Sequence, residues 1–402
     1  MTRKRQLPAH RLRLLAVVFF LLVMAANLGR YLVFDGLYLW DAQFRWKECA
    51  YLLHGLDPFD VMRGSVSPIE AIGSIDASLG GTVPWAYVLG NLINPGFLPR
   101  EGMYLYLLTL DFLAPLVTSF FMVRFLLRGG YAEDRRTAVL ASLLVFAPSM
   151  WANAILFGNQ SGIVCCCIML SMCLIENHEN IAGLLLALAM CKPQVAFPFF
   201  FPLLCRKRWK ALGTASVTVA AAWLAASVLA GKDPITMMLE MLYQGLGYTS
   251  SYYGLFSWML QFGVSTSWVL VLDMAAGLVI LHAAAKWIFR SHLEDNWLLW
   301  YSVAAVVSVL WFYKQGHDYI ILALPAIAIF CLHKIPLTAW ASILILLVDV
   351  IAFGVPKLCT LFFGLSKETV YPWAKLAETL AIIASLYYVF RAARERNALV
   401  AA

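Results

Sequence analysis

The chain has 402 residues, of which 62% are hydrophobic and only 13% charged. Repeated long apolar runs at that composition exclude a soluble globular domain and point to an all-α polytopic membrane protein. The net charge of +7 comes from Lys and Arg grouped at the ends of apolar runs, the pattern of a topology signal and not of a face for nucleic acid.

A crossing helix needs roughly 20 apolar residues, so the length accommodates about 10–12 crossings in a single integral membrane domain over residues 1–402. Nine cysteines show no metal-ligand spacing, and the group Cys165, Cys166, Cys167 and Cys173 sits in one apolar run, as small core residues would.

In chain order, Thr2 to Arg13 followed by Leu14 to Phe34 resembles a signal peptide, but the apolar run is too long and reads as an uncleaved first span. Arg3, Lys4, Arg5, Arg11 and Arg13 place the N-terminus in the cytoplasm, so residues 35–102 form a first extracytoplasmic loop with interfacial helices. This loop gathers Asp41, Arg45, Lys47, Glu48, His54, Asp57 and Asp60, in a chain otherwise poor in charge. Met103 to Leu127 returns to the cytoplasm and Thr137 to Phe157 goes out, ending at Gly158-Asn159-Gln160-Ser161-Gly162.

Ile163 to Ile175 leads back in, and the next apolar stretch, 181–204, starts and ends on the cytoplasmic side by its flanking charges. A Pro in its middle, in Lys192-Pro193-Gln194, removes a helical hydrogen bond and disfavours helix in the residue before it. The stretch reads either as a broken-helix hairpin with Lys192 near its apex or as one kinked span. Residues 231–265 form a second extracytoplasmic loop that carries Tyr248, and Lys314 to Asp318 forms another that carries His317. The C-terminus, with Arg391, Arg394 and Arg396, lies in the cytoplasm, as expected for a multi-pass plasma (inner) membrane protein.

Asp41 heads a predicted helix on which Asp41, Arg45, Glu48 and Leu52 share a stripe. Two readings are open there: an N-cap followed by a surface ion pair, or a catalytic carboxylate facing both lipid and water. Asn159 and Gln160 suit either a sugar or the backbone of a tight turn. Lys192, with apolar residues on both sides, is expensive unless it pairs with an anion or reaches water. His317 and Asp318 suit either a site or a helix cap.

The chain has no P-loop, GxSxG or HExxH, and Asp57 and Asp60 do not form a DxD motif, so nucleotide-dependent chemistry on the cytoplasmic face is not expected. No cofactor and no metal is expected either. A transporter or lipid flippase is the alternative, but no internal repeat is visible and the polar groups lie toward one side.

Four elements occur in order: the Asp41 loop ending His54-Gly-Leu-Asp-Pro-Phe-Asp60; Pro84 with a downstream Asn94-Pro-Gly-Phe-Leu-Pro99; Gly158-Asn-Gln; and Ala182-Gly-Leu-Leu-Leu-Ala-Leu-Ala-Met-Cys-Lys-Pro193 leading to Arg206-Lys-Arg-Trp-Lys210. In these the chain resembles the polyprenol-phosphate-sugar glycosyltransferases of the GT-C superfold, specifically the mannosyltransferase-like glycosyltransferase family 87, from Trp40 to about Gly231. It differs in having Val83-Pro84-Trp85 in place of a Tyr-Pro-Pro step, and in lacking a second Asn at the turn.

The resemblance implies a GT-C-type bundle. It also implies a polyprenyl-monophosphate sugar donor, mannose favoured, and a glycan or glycolipid acceptor hydroxyl at the bilayer surface. On this basis Asp41 is expected as the general base of an inverting transfer. Lys192, His317 and Arg45 are expected at the donor phosphate, and Asn159, Gln160, Tyr248 and Glu48 at sugar or acceptor.

Overall fold

A computed structural model describes residues 38–76, 82–148, 150–246, 255–311 and 316–331, with scattered positions between 14 and 29 and between 359 and 394. Regular structure among the described residues is helical throughout, as expected. Helices α1 (Trp40–Leu53), α2 (Pro58–Met62) and α3 (Pro84–Leu89) precede the long α4 (Arg100–Arg128). There follow α5 (Arg135–Ser142), α6 (Met150–Phe157), α7 (Ser161–Leu174), α8 (Glu179–Ala189), α9 (Pro193–Ala196), α10 (Phe200–Cys205) and α11 (Trp209–Ala230). Next come α12 (Pro234–Leu246), α13 (Thr266–Arg290), α14 (Trp297–Leu310) and α15 (Ala323–Cys331), and a further apolar helix, Thr379–Arg391, lies beyond them.

Among the described residues three helices, α4, α11 and α13, are long and apolar enough to cross a membrane, and a fourth crossing results if residues 135–146 and α6, bent by 46°, are one span. The expected first span, residues 14–34, and the expected spans over residues 336–355 and 372–390 lie largely outside the described residues. Pro148, Gly158 and Pro193 interrupt apolar runs around α6, α7 and α8, and α7, α8, α14 and the 316–331 helix are apolar but shorter.

Burial separates the two kinds of helix. Every residue of α14 and α15 is buried, which makes them the centre of the bundle. The long helices instead turn large apolar side chains outward, among them Leu105, Phe112 and Leu116 on α4 and Val217, Leu224 and Val228 on α11. An apolar face exposed on a long helix is a lipid-facing one.

The apolar stretch 181–204 breaks where Lys192-Pro193-Gln194 predicts. Helix α8 stops at Ala189 and α9 starts at Pro193, with Lys192 between them at φ −125°. The break leaves backbone carbonyls without helical partners, and two indoles satisfy them. Trp85 Nε1 on α3 donates to the Met190 carbonyl at 2.7 Å, and Trp311 Nε1 donates to the Gln194 carbonyl at 3.1 Å. Helix α8 packs on α7 and α11, whereas α9, α10 and the turn between them pack on α14.

The segment before α4 is docked closely onto this bundle. Trp46 donates to the Leu98 carbonyl at 3.0 Å, and Gly96 lies so near α1 that a Cβ there would meet the Ala50 nitrogen at 2.4 Å. Only glycine permits that approach.

Candidate active site

The turn between α6 and α7 is where the site is assembled. Helix α6 ends in a Schellman arrangement. Gly158 adopts φ +64°, its N–H donates to the Ile155 carbonyl at 3.2 Å, and the Asn159 N–H donates to the Ala154 carbonyl at 2.8 Å. A Cβ on Gly158 would meet the Ala42 Cβ at 2.5 Å, so glycine also lets the turn reach the start of α1. There the Leu39 N–H donates to the Leu156 carbonyl at 3.0 Å, and Leu39 itself takes a left-handed φ of 49°. A leucine in that region is strained, and strain of this kind persists where the surroundings impose it.

Asp41 is therefore the second residue of α1 and not its cap; the preceding Leu39 offers no side-chain cap. Its Oδ2 accepts a hydrogen bond from Asn159 Nδ2 at 2.6 Å. On the far side of that amide, Asn159 Oδ1 accepts from the Ser161 N–H at 3.0 Å and from Lys192 Nζ at 3.0 Å, with the Ser161 hydroxyl at 2.7 Å. The orientation of the amide follows from its neighbours. Turned over, it would set N–H groups against an ammonium and a carbonyl oxygen against a carboxylate.

Lys192 Nζ has three protein partners: Asn159 Oδ1, Ser161 Oγ at 2.6 Å and Asp318 Oδ1 at 2.7 Å. The Lys192–Asp318 pair is enclosed, with side-chain exposures of 12% and 1%. Ser161 Oγ also lies 2.6 Å from Asp318 Oδ1, and its single proton serves either that oxygen or Asn159. Asp41, Asn159, Ser161, Lys192 and Asp318 thus form one chain drawn from four separate segments.

A cavity of about 310 Å³ opens beside Asp41, lined by Trp40, Asp41, Met150, Asn153, Phe157, Gly316 and His317. His317 sits at its rim, ahead of the apolar run that follows. Burial pushes its imidazole below the ordinary value, Lys192 adds to the effect, and Asp318 and Asp41 oppose it. The ring is neutral at pH 7 and offers a hydrogen bond, not a positive charge.

Of the other expected residues, Arg45 lies one turn along from Asp41 and pairs with Glu48 at 2.8 Å. Burial works against its charge, but Glu48 and, after it, Asp41 raise the guanidinium above its ordinary value. Glu48, 1% exposed, is taken up by Arg45 and by the Thr82 N–H and hydroxyl, each at 2.9 Å. Gln160 points to Asn94 Oδ1 at 2.6 Å, where it fastens the segment before α4. Neither Glu48 nor Gln160 lines the cavity, and Tyr248 lies outside the described residues.

Asp57 and Asp60 belong to a second charged cluster. Asp57 caps α2 by accepting from the Phe59 N–H at 2.9 Å. Lys232 joins Asp57 at 2.6 Å, Asp60 at 3.1 Å and Glu240 at 2.6 Å, and Arg63 pairs with Asp60 and Glu240 from outside. Three carboxylates are grouped as if around a cation, and the cation is the Lys232 ammonium.

Sequence reasoning did not single out Ser161, Asn153 or Trp40, and it left Asp318 open between a site and a helix cap. For Asp318 the signal was the cost of an unpaired Lys192, which calls for an anion from elsewhere in the chain. For Asn153 it was an amide inside an otherwise apolar run, Met150 to Phe157.

No curated protein and no solved structure matches the chain. A family model described as glycosyltransferase family 87 matches residues 91–312, a stretch that holds Asn159, Ser161 and Lys192 and begins after Asp41. The match spans more than half of the 402 residues, and the chain belongs to glycosyltransferase family 87.

Proposed function

We propose that this membrane glycosyltransferase moves a hexose, with mannose favoured, from a polyprenyl-monophosphate donor to a hydroxyl of a glycan or glycolipid. Transfer takes place on the extracytoplasmic face, with inversion, and Asp41 is the general base. The observation that carries the reading is the Asp41 carboxylate, held by Asn159 on one side and lining a cavity on the other. In an inverting transfer one base takes the acceptor proton as the hydroxyl oxygen bonds to the anomeric carbon. The bond from that carbon to the phosphate oxygen breaks at the same time, and the lipid phosphate leaves with the electron pair. One oriented carboxylate and a few donors for the phosphate meet that requirement.

The Asn159 amide holds one carboxylate oxygen, and the other is free to receive the proton. Arg45, with N–H groups beyond the one given to Glu48, is the first candidate for the donor phosphate. His317 can donate a hydrogen bond to it from the cavity wall. The three N–H groups of Lys192 are engaged within the protein, so it contacts phosphate only by exchanging a partner. Its effect in this arrangement is to hold Asn159 and, through it, Asp41.

The bilayer supplies the donor laterally, and the Lys and Arg distribution supports cytoplasmic termini and an extracytoplasmic site. The test is to incubate purified protein in liposomes with polyprenyl-phosphate-mannose and, separately, its glucose counterpart, together with membrane glycolipid. Labelled sugar should appear on the glycolipid. No transfer from either donor, with uptake of a solute instead, would sink the proposal in favour of a transporter.

A further inference from the structure

The cavity beside Asp41 holds more than the base and His317. Trp40 is 56% exposed and adjoins Asp41 in sequence. Its indole belongs to an aromatic trio, 5.1 Å from Tyr38 and 6.4 Å from Phe157, with Tyr38 stacked on Phe157 at 6.1 Å. The same lining holds Asn153, whose Nδ2 donates, among the described residues, only to the Met150 sulfur at 3.1 Å. Thioether sulfur is a weak acceptor, so this donor is given up at little cost, and among the described residues nothing donates to the amide oxygen.

The combination is specific in its chemistry. A flat aromatic face suits a surface of C–H groups, and a side-chain amide offers a donor and an acceptor side by side. A pyranose ring presents both, an apolar C–H face and a rim of adjacent hydroxyls. A prenyl chain would leave the Asn153 amide unused, and Trp40 and Asn153 themselves offer a phosphate no cation.

Size agrees with one ring. A volume of about 310 Å³ is at the small end of ligand pockets, which run from ~300 to ~1,000 Å³. Position says which sugar it is. The base must touch the acceptor hydroxyl, so the ring sharing a cavity with the Asp41 carboxylate belongs to the acceptor.

We infer that Trp40 and Asn153 form the acceptor subsite, Trp40 under the ring of the sugar whose hydroxyl faces Asp41, and Asn153 on a neighbouring hydroxyl. This assignment rests on Asp41 acting as the base, as proposed above.

The experiment has two arms, with the protein in nanodiscs to avoid sugar-based detergents. In the first, saturation-transfer NMR follows methyl α-mannoside and methyl α-glucoside. Wild type should show contact with the ring protons. Asn153→Ala should bind about three- to tenfold more weakly, the range of one net hydrogen bond. Trp40→Ala should lose binding by a similar factor and Trp40→Phe should keep most of it. Asn153→Asp covers the case in which a truncated variant does not fold, since it keeps the shape, removes the donor and should also weaken binding.

In the second arm, transfer from polyprenyl-phosphate-mannose to octyl mannoside is measured, and the same variants should raise the KM for the acceptor, not that for the donor. A rise in donor KM instead, or unchanged glycoside binding in the variants, would overturn the subsite. Transfer without glycoside contact in wild type would overturn the subsite and leave the proposed reaction standing. Glycoside binding without transfer from any polyprenyl donor would overturn the reaction and the acceptor assignment with it.

Discussion

Two clusters of charge arise from the same short stretch of sequence, and they end in opposite conditions. Asp57 and Asp60 meet Glu240 around Lys232, with Arg63 outside, so every carboxylate there has a cation. Burial raises the Asp57 carboxyl above its ordinary value, against the pull of Lys232 and the Phe59 N–H. Burial alone would lower Lys232, yet Asp57 and Glu240 raise it. That cluster is closed, and it fastens α2 to α12. Around Asp41 the charges are arranged differently. Lys192 is spent on Asp318, Arg45 gives Glu48 one N–H group, and Asp41 itself receives one amide and faces a cavity. Charge density alone does not tell the two clusters apart; what separates them is which carboxylate is left open.

The comparison predicts its own failures. Asp41→Asn should lower transfer by ~10²–10⁴-fold, the range for one general base, with donor binding retained. A variant that turns over like wild type would erase the distinction between the clusters. The next effect is on stability. Lys192→Met or Asp318→Leu alone leaves a buried charge unpaired and should destabilise by ~3–5 kcal/mol. The pair Lys192→Met with Asp318→Leu should recover most of that loss in a thermal melt but not the transfer rate, because Asn159 loses the ammonium that orients it. Recovery of both would mean that Lys192 has no part in holding Asp41.

Lys232→Ala should destabilise by ~1–3 kcal/mol through the desolvated Asp57 it strands, with transfer per folded molecule unchanged. A selective loss of transfer would place the second cluster in the reaction. His317 supplies a pH test. Its folded pKa is depressed, so as pH falls below about 6.5 the unfolded chain takes up the proton first and stability declines. His317→Gln should flatten that slope in melts between pH 7 and pH 5. Arg63→Ala should have the smallest effect, ~0.2–1 kcal/mol, because its pairs lie at the surface.

The class of fold was legible because composition and apolar run length determine it. So was the interruption at Lys192, since Pro193 cannot continue a helix. Turns such as Gly158 divide apolar stretches in ways that hydropathy does not register. At the site, Asp41 stood out in a charge-rich loop and Lys192 as a charge in apolar surroundings. Their partners did not. Asn159 lies 118 residues from Asp41 and Asp318 lies 126 from Lys192, and pairing at such separations leaves no periodic trace. Gln160 shows the limit of reading by type. It stands beside Asn159 in the same turn, yet the helical start of α7 directs one amide to Asp41 and the other to Asn94.

The two indoles at the Lys192 break have a mechanical consequence. A proline break left to itself is a hinge, free to flex because its carbonyls are unclaimed. Here Trp85 grips one side from the segment before α4, and Trp311 grips the other from the end of α14. The joint is splinted from two directions, so Lys192 is held at a set height in the bundle. Any motion that shifts it must drag α3 or α14 along.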